Sequence, residues 1–138
     1  MQTRRGSFAR NQLPGIAWAV AIFVGSCIPG ESVPELGFKV QDKIAHMIEF
    51  GILAYLLLRA FGRASHRTFR ERPVLWAGAC GTAWGIVDEV HQLFVPGRCG
   101  TPYDAMADAV GVLGALAVSL WLQRRRISLH GHAQEDEC

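Results

Sequence analysis

Four stretches of this chain are densely apolar, and most of the charge falls between them. The first, residues 13–28, follows Arg4, Arg5 and Arg10 and stops at Pro29-Gly30. The second, 44–61, is preceded by Asp42, a residue type suited to an N-cap. The third opens on Pro73, whose missing N–H suits a first helical turn, and continues to 95. The fourth, 101–122, begins Thr101-Pro102-Tyr103-Asp104, a capping box with proline at the first helical position. None of the stretches alternates apolar and polar with period two, so strands are a poor reading. Helices satisfy their backbone polar groups internally, as a lipid setting demands. The pattern predicts an all-α integral membrane bundle of four transmembrane helices. It has three parts: a cytoplasmic N-terminus (1–12), the membrane domain (13–122) and a cytoplasmic polar tail (123–138).

The first stretch is short, about 16 residues against the ~20 that cross a bilayer. A basic start and a short apolar core also describe a cleaved signal peptide, and Val24-Gly25-Ser26-Cys27 resembles a degenerate lipoprotein cleavage site. Three further apolar stretches make a first span the simpler account. Gly81 and Gly85 form GxxxG in the third stretch, and Ala107, Gly111 and Ala115 form a small-residue stripe in the fourth. These predict close helix contact and a tight bundle. Residues 127–138 are polar and read as a disordered tail.

Charge changes the picture by giving the bundle an orientation. Arg4, Arg5 and Arg10 precede the first stretch. Arg59, Arg63, Arg67, Arg70 and Arg72 join the second to the third, and Arg124, Arg125 and Arg126 follow the fourth. The other two connections hold only Lys39, Lys43 and Arg98, balanced by Glu31, Glu35, Asp42 and Asp104. The positive-inside rule then places both termini and the middle connection in the cytoplasm. These arginine clusters lack the interleaved aromatics of a nucleic-acid face, so no nucleic-acid partner is expected. Cys27, Cys80, Cys99 and Cys138 show no metal-binding spacing; Cys80 reads as a small hydrophobe, and a Cys27–Cys99 pairing stays open.

Ionisable residues inside spans are expensive, and their default reading is functional. The second stretch carries His46 and Glu49. The third carries Asp88, Glu89, His91 and Gln92, and the fourth carries Asp108 one turn beyond Asp104. At ~1.5 Å per residue, Glu49, Asp88 and Asp108 each lie roughly 10 Å from the outer end of their helix. Three helices thus bring carboxylates to one level. Asp42, His46 and Glu49 share a helical face, as do Gly85, Asp88 and Gln92, and Asp104, Asp108 and Gly111. Glu49, Asp88 and Asp108 are therefore expected to turn toward one another, with Arg98 folded over them. Asp42 and Asp104 are most simply caps, and a lone His46 would more often be a satisfied buried imidazole. Nearby cations are few, so the acids must pair with Arg98, share protons, bind a cation or be neutral. The candidate functional cluster is His46, Glu49, Asp88, Glu89, His91, Gln92, Arg98 and Asp108, supported by Asp42, Lys43 and Asp104.

These residues resemble the VanZ-like family, small membrane proteins named for a teicoplanin-resistance protein of Gram-positive bacteria. The family's second span opens Asp-Lys-x-x-His and continues Glu-Tyr; Asp42, Lys43, His46, Glu49 and Phe50 match, with phenylalanine in place of tyrosine. Its third span carries Asp-Glu-x-His-Gln and runs into Pro-Gly-Arg, matched by Asp88, Glu89, His91, Gln92, Pro96, Gly97 and Arg98. Its fourth is matched by Asp104, Asp108 and Gly111. The resemblance covers about residues 13–122. It implies a protein of the bacterial cytoplasmic membrane acting on or near the envelope, and it assigns no catalytic residue.

Three functions fit these observations. The favoured one is a non-catalytic protein whose outer polar cluster holds an envelope lipid head group or a glycopeptide-type ligand and modulates envelope properties or antibiotic susceptibility. A membrane-embedded hydrolase or transferase of lipid-linked substrates would use a carboxylate–histidine pair as acid and base. The chain has no GxSxG and no HExxH to support it. A proton- or cation-coupled transporter is the third, and four short spans leave little room for alternating access. No cofactor or dedicated metal site is expected. A divalent cation suits carboxylate oxygens, but no loop carries a calcium pattern.

Overall fold

Proline sets three of the helix starts. Pro14 stands in the first turn of α2 (Leu13–Ser26), Pro73 opens α5 (Pro73–Gln92), and Pro102 opens α6 (Pro102–Glu135). At these positions the absent N–H has no helical partner to lose and the fixed φ is already helical. The remaining elements are α1 (Arg4–Asn11), α3 (Lys39–Gly62) and α4 (Arg67–Glu71). The computed structural model describes residues 4–29, 39–98 and 100–135, with side chains for 8–29, 43–98 and 100–128. Among the described residues there is no strand, so the all-α expectation holds.

Several boundaries differ from the sequence expectation, each for a local reason. Helix α2 ends at Ser26, two residues early, with Cys27 as its C-cap just ahead of Pro29. Helix α3 starts at Lys39, because Val40 and Gln41 put no breaker before Asp42. Asp42 therefore lies inside the first turns rather than at the cap, and its side chain is outside the described residues. Helix α5 ends at Gln92 instead of 95, since Pro96 disfavours helical backbone before it and Gly97 takes a left-handed φ of 73°. The connection between the second and third apolar stretches contains α4, whose Arg67 and Glu71 pair one turn apart. The tail is not disordered as far as Glu135. Leu122, Gln123 and Arg124 to Arg126 are good helix formers, so α6 runs on through them.

Close approach of α3 and α6 dominates the packing. A Cβ on Gly111 would stand 2.2 Å from the Met47 carbonyl oxygen and 2.8 Å from its Cα, so only glycine lets the two backbones touch there. The expected GxxxG of α5 has a similar use against α6. A Cβ on Gly81 would meet Val112 at 3.1 Å, and one on Gly85 would meet the Asp108 side chain at 3.0 Å. These contacts enclose an apolar core of Ile22, Phe50, Leu53, Ala54, Leu58, Ala77, Val112 and Leu116.

The outward faces are apolar too. Ile16, Val20 and Val24 on α2, Ile48 and Ile52 on α3, Ile86, Val87 and Val90 on α5, and Val110, Leu113 and Val118 on α6 are all exposed. Cys80, read as a small hydrophobe, is exposed among these apolar residues. Two helices, through Lys43–Gly62 and Pro102–Ser128, are long and apolar enough to cross a membrane. Only 33% and 28% of those segments are buried inside the protein, unlike the core helix of a soluble domain. Helix α2 is apolar but shorter, and α5 is interrupted by its own Asp88, Glu89, His91 and Gln92.

Candidate functional site

Three helices each contribute one ionisable residue to the centre of the bundle. His46 comes from α3, Glu89 from α5 and Asp108 from α6, and all three are buried. His46 Nδ1 lies 2.9 Å from Asp108 Oδ1 and 3.9 Å from Glu89 Oε1. His46 stacks nearly parallel to buried Phe50 one turn along, where the polar cluster meets the apolar core. Gly85 is what allows Asp108 to sit against α5, since any side chain there would crowd its carboxylate. One donor atom from each of the three lies within 4.8 Å of the others, so together these residues could hold a metal ion.

Around this centre the two other buried acids are individually satisfied. Asp88 accepts from Ser26 Oγ at 2.6 Å and from Gln92 Nε2 at 2.8 Å. This ties α2 to α5 through a buried carboxylate, the kind of group that is stable only when hydrogen-bonded. Asp104 accepts from Lys43 Nζ at 2.5 Å and from Thr101 Oγ1 at 2.7 Å. Its own N–H reaches Thr101 Oγ1 at 3.3 Å, which is half of the expected capping box. The other half is supplied from elsewhere. The Thr101 N–H goes to Glu89 Oε2 at 2.8 Å, so a carboxylate of α5 caps α6. Gly100 permits this crossing, because a Cβ there would lie 2.3 Å from the Glu89 carbonyl oxygen.

Beside the buried centre is a cavity of ≈ 270 Å³, lined among others by Trp18, Ser26, His46, Glu49, Gln92 and Arg98. Glu49 is exposed along this wall rather than buried with Asp88 and Asp108. It lies on the side of α3 facing α2, where the Trp18 indole N–H donates to its carbonyl oxygen at 2.9 Å. Arg98 lines the same cavity and anchors its Nε on the Ile28 carbonyl oxygen at 3.2 Å, so it is held by the end of α2 and not folded onto the acids. His91 is set apart, with its ring 4.5 Å from Phe23 and Nε2 3.3 Å from Cys27 Sγ. Cys27 is a free thiol, and Cys99 lies outside the described residues. A larger cavity of ≈ 530 Å³ occupies the opposite, arginine-rich end, between Arg59, Arg63, Pro73 and Arg126, and contains none of the candidates.

The structure thus brings His46, Glu89 and Asp108 into one buried group, sets Asp88 with Gln92 next to it, and places Glu49 and Arg98 on the adjoining cavity. Lys43 and Asp104 form a separate pair. Sequence reasoning missed Ser26 and Trp18, and it read Thr101 as a cap without its bond to Glu89. Ser26 is the only hydroxyl in an otherwise apolar stretch, and that isolation was its one visible signal. Trp18 and Thr101 act through backbone-directed hydrogen bonds that depend on tertiary placement.

No curated protein and no solved structure matches the chain. The model of the VanZ/LLP1 family matches residues 8–123, a span that contains α2, α3 and α5, the described cluster and most of α6. This chain belongs to the VanZ/LLP1 family.

Proposed function

We propose that this protein is a four-span bundle of the bacterial cytoplasmic membrane that binds the polar head group of an envelope lipid, or a related glycopeptide-type ligand, in the cavity beside its buried acids. Helices α2, α3, α5 and α6 are its spans, and the arginine clusters hold both termini and the α4 connection in the cytoplasm. The exposed apolar residues on all four helices would then face lipid tails. One observation carries the binding reading: Glu49 is an exposed carboxylate midway along α3, flanked by the exposed apolar Ile48 and Ile52, and it shares a cavity with Arg98. A bare carboxylate at that depth is costly. A head group carrying both hydrogen-bond donors and an anionic group would cover Glu49 with the first and meet Arg98 with the second. Trp18 supplies a flat wall for the ligand's apolar part. Holding such a ligand near the outer face is a direct way to change envelope properties, including glycopeptide susceptibility.

Native mass spectrometry of the purified protein tests the binding. A lipid adduct is expected on the unaltered protein and should be lost in both Glu49→Gln and Arg98→Gln. An adduct unchanged in both would rule out this cavity. Orientation is tested separately with an impermeant thiol reagent on intact cells, using variants that keep one cysteine each. Cys99 should be labelled and Cys138 protected; the reverse pattern would invert the bundle.

A further inference from the structure

The geometry points to a divalent metal site formed by His46, Glu89 and Asp108, suited to an ion of the Zn²⁺ or Mn²⁺ class. The site adjoins the head-group cavity but does not depend on it, and it stands whether or not that cavity takes a lipid.

Charge balance is the first reason. Glu89 and Asp108 are two carboxylates within 4.8 Å of each other, with side chains 8% and 1% exposed. Lys43, the cation on the same turn of α3, is paired with Asp104. Ionised together they carry two negative charges, and a protonated His46 offsets only one of them, which leaves a buried charge that is strongly disfavoured. One divalent cation beside a neutral imidazole brings the group to zero.

Unmet bonding capacity is the second. Glu89 is oriented by the Thr101 N–H on Oε2, and its other oxygen, Oε1, is buried, without a hydrogen-bond partner, and aimed at His46 Nδ1 from 3.9 Å. Asp108 likewise has one oxygen toward His46 and a buried Oδ2 with no hydrogen-bond partner. Glu89 Oε1 and Asp108 Oδ1 converge on one imidazole, and the second Asp108 oxygen stays buried and unpartnered beside them, a pattern that a cation would satisfy. The N–H of Thr101 on Glu89 is the outer-shell contact that typically orients a ligating carboxylate.

The donor set then narrows the ion. Neighbouring donors on an ion with ~2.1 Å bonds stand about 3–3.5 Å apart, and the contacts of 2.9 and 3.9 Å bracket that spacing. One nitrogen and two carboxylates suit Zn²⁺ or Mn²⁺, whereas Ca²⁺ and Mg²⁺ favour all-oxygen sets. In the hydrogen-bonded arrangement His46 and Asp108 share a proton. On metal binding that proton leaves for solvent, and the ring nitrogen lends its lone pair to the ion. His46 also lines the cavity, which gives an ion a route in.

The test uses the full chain, purified in detergent, stripped with chelator and titrated with Zn²⁺ and, separately, Mn²⁺. Close to one equivalent of at least one of these ions should bind, and the melting temperature should rise with that ion and fall back on chelation. Glu89→Gln and Asp108→Asn should each weaken binding beyond the ~10–100-fold that outer-shell partners are worth. Glu71→Gln, on exposed α4, should bind as the unaltered protein does. Absence of binding and of any melting shift with both ions would overturn the site, and this readout holds even if a variant fails to fold. Affinity in both ligand variants equal to that of the unaltered protein would also overturn it. The lipid adduct is read independently, so failure of the metal site leaves the head-group reading intact, and the converse holds.

Discussion

Helices α3, α5 and α6 build two unlike halves in one bundle. Toward the arginine-rich end, Leu53, Ala54, Leu58, Ala77, Val112 and Leu116 meet in a core of apolar side chains. Toward the other end, His46, Asp88, Glu89, Gln92, Asp104 and Asp108 occupy the corresponding interior positions. His46 and Leu53 are two turns apart on α3, roughly 10 Å along the axis. Small residues draw the helices together in both halves, with Gly81 against Val112 in one and Gly85 against Asp108 in the other. The apolar half is held by contact alone, so its stability tracks volume. The polar half is held by matched donors and acceptors, so its stability tracks pairing. Two buried carboxylate oxygens there lack a hydrogen-bond partner, and packing gives no account of them. Trp84 Nε1, against the apolar core, is also buried without a hydrogen-bond partner, but it is a lone donor, whereas the two carboxylate oxygens belong to one cluster.

Substitutions can break or sharpen this contrast. The largest effect is expected at Gly111, whose added Cβ would enter the Met47 backbone. Gly111→Ala should destabilise the protein by more than ~3 kcal/mol, the upper end of overpacking, and read out as loss of folded protein in detergent. Gly114→Ala on the same helix meets nothing within 4 Å and should be neutral in the same assay. In the apolar half, Leu53→Ala opens a void at a side chain 1% exposed and should lower stability by about 2–3 kcal/mol in thermal melting. In the polar half, Ser26→Ala removes the 2.6 Å donor to Asp88 and should destabilise by about 1–2 kcal/mol. Outside both halves, Glu71→Gln breaks only the exposed pair with Arg67 and should change the melt by less than ~0.5 kcal/mol.

The helices were legible because apolar runs, prolines and small-residue spacings are local signals. Pro73 and Pro102 mark the starts of α5 and α6, and Gly111 marks the contact stripe. Helix ends were less legible where a weak former and a strong one look alike in composition. The tail beyond Leu122 is polar, yet its residues continue α6 to Glu135. Within the site, depth groups Asp88 and Asp108 by level, but depth says nothing of rotation about the helix axis. Glu49 therefore emerged on the α2 side while His46, three residues earlier, turned inward. Glu89 offered no sign that it would cap α6, because that bond joins residues on separate helices through the backbone of Thr101.

The central claim is that the polar half serves binding rather than folding, and Glu49→Gln tests it most directly. The replacement keeps volume and removes only charge. Thermal melting in detergent, read beside the lipid adduct on the same sample, should show an unchanged or raised melting temperature with the adduct lost. A lowered melting temperature with the adduct retained would contradict the account and make the carboxylate a structural element.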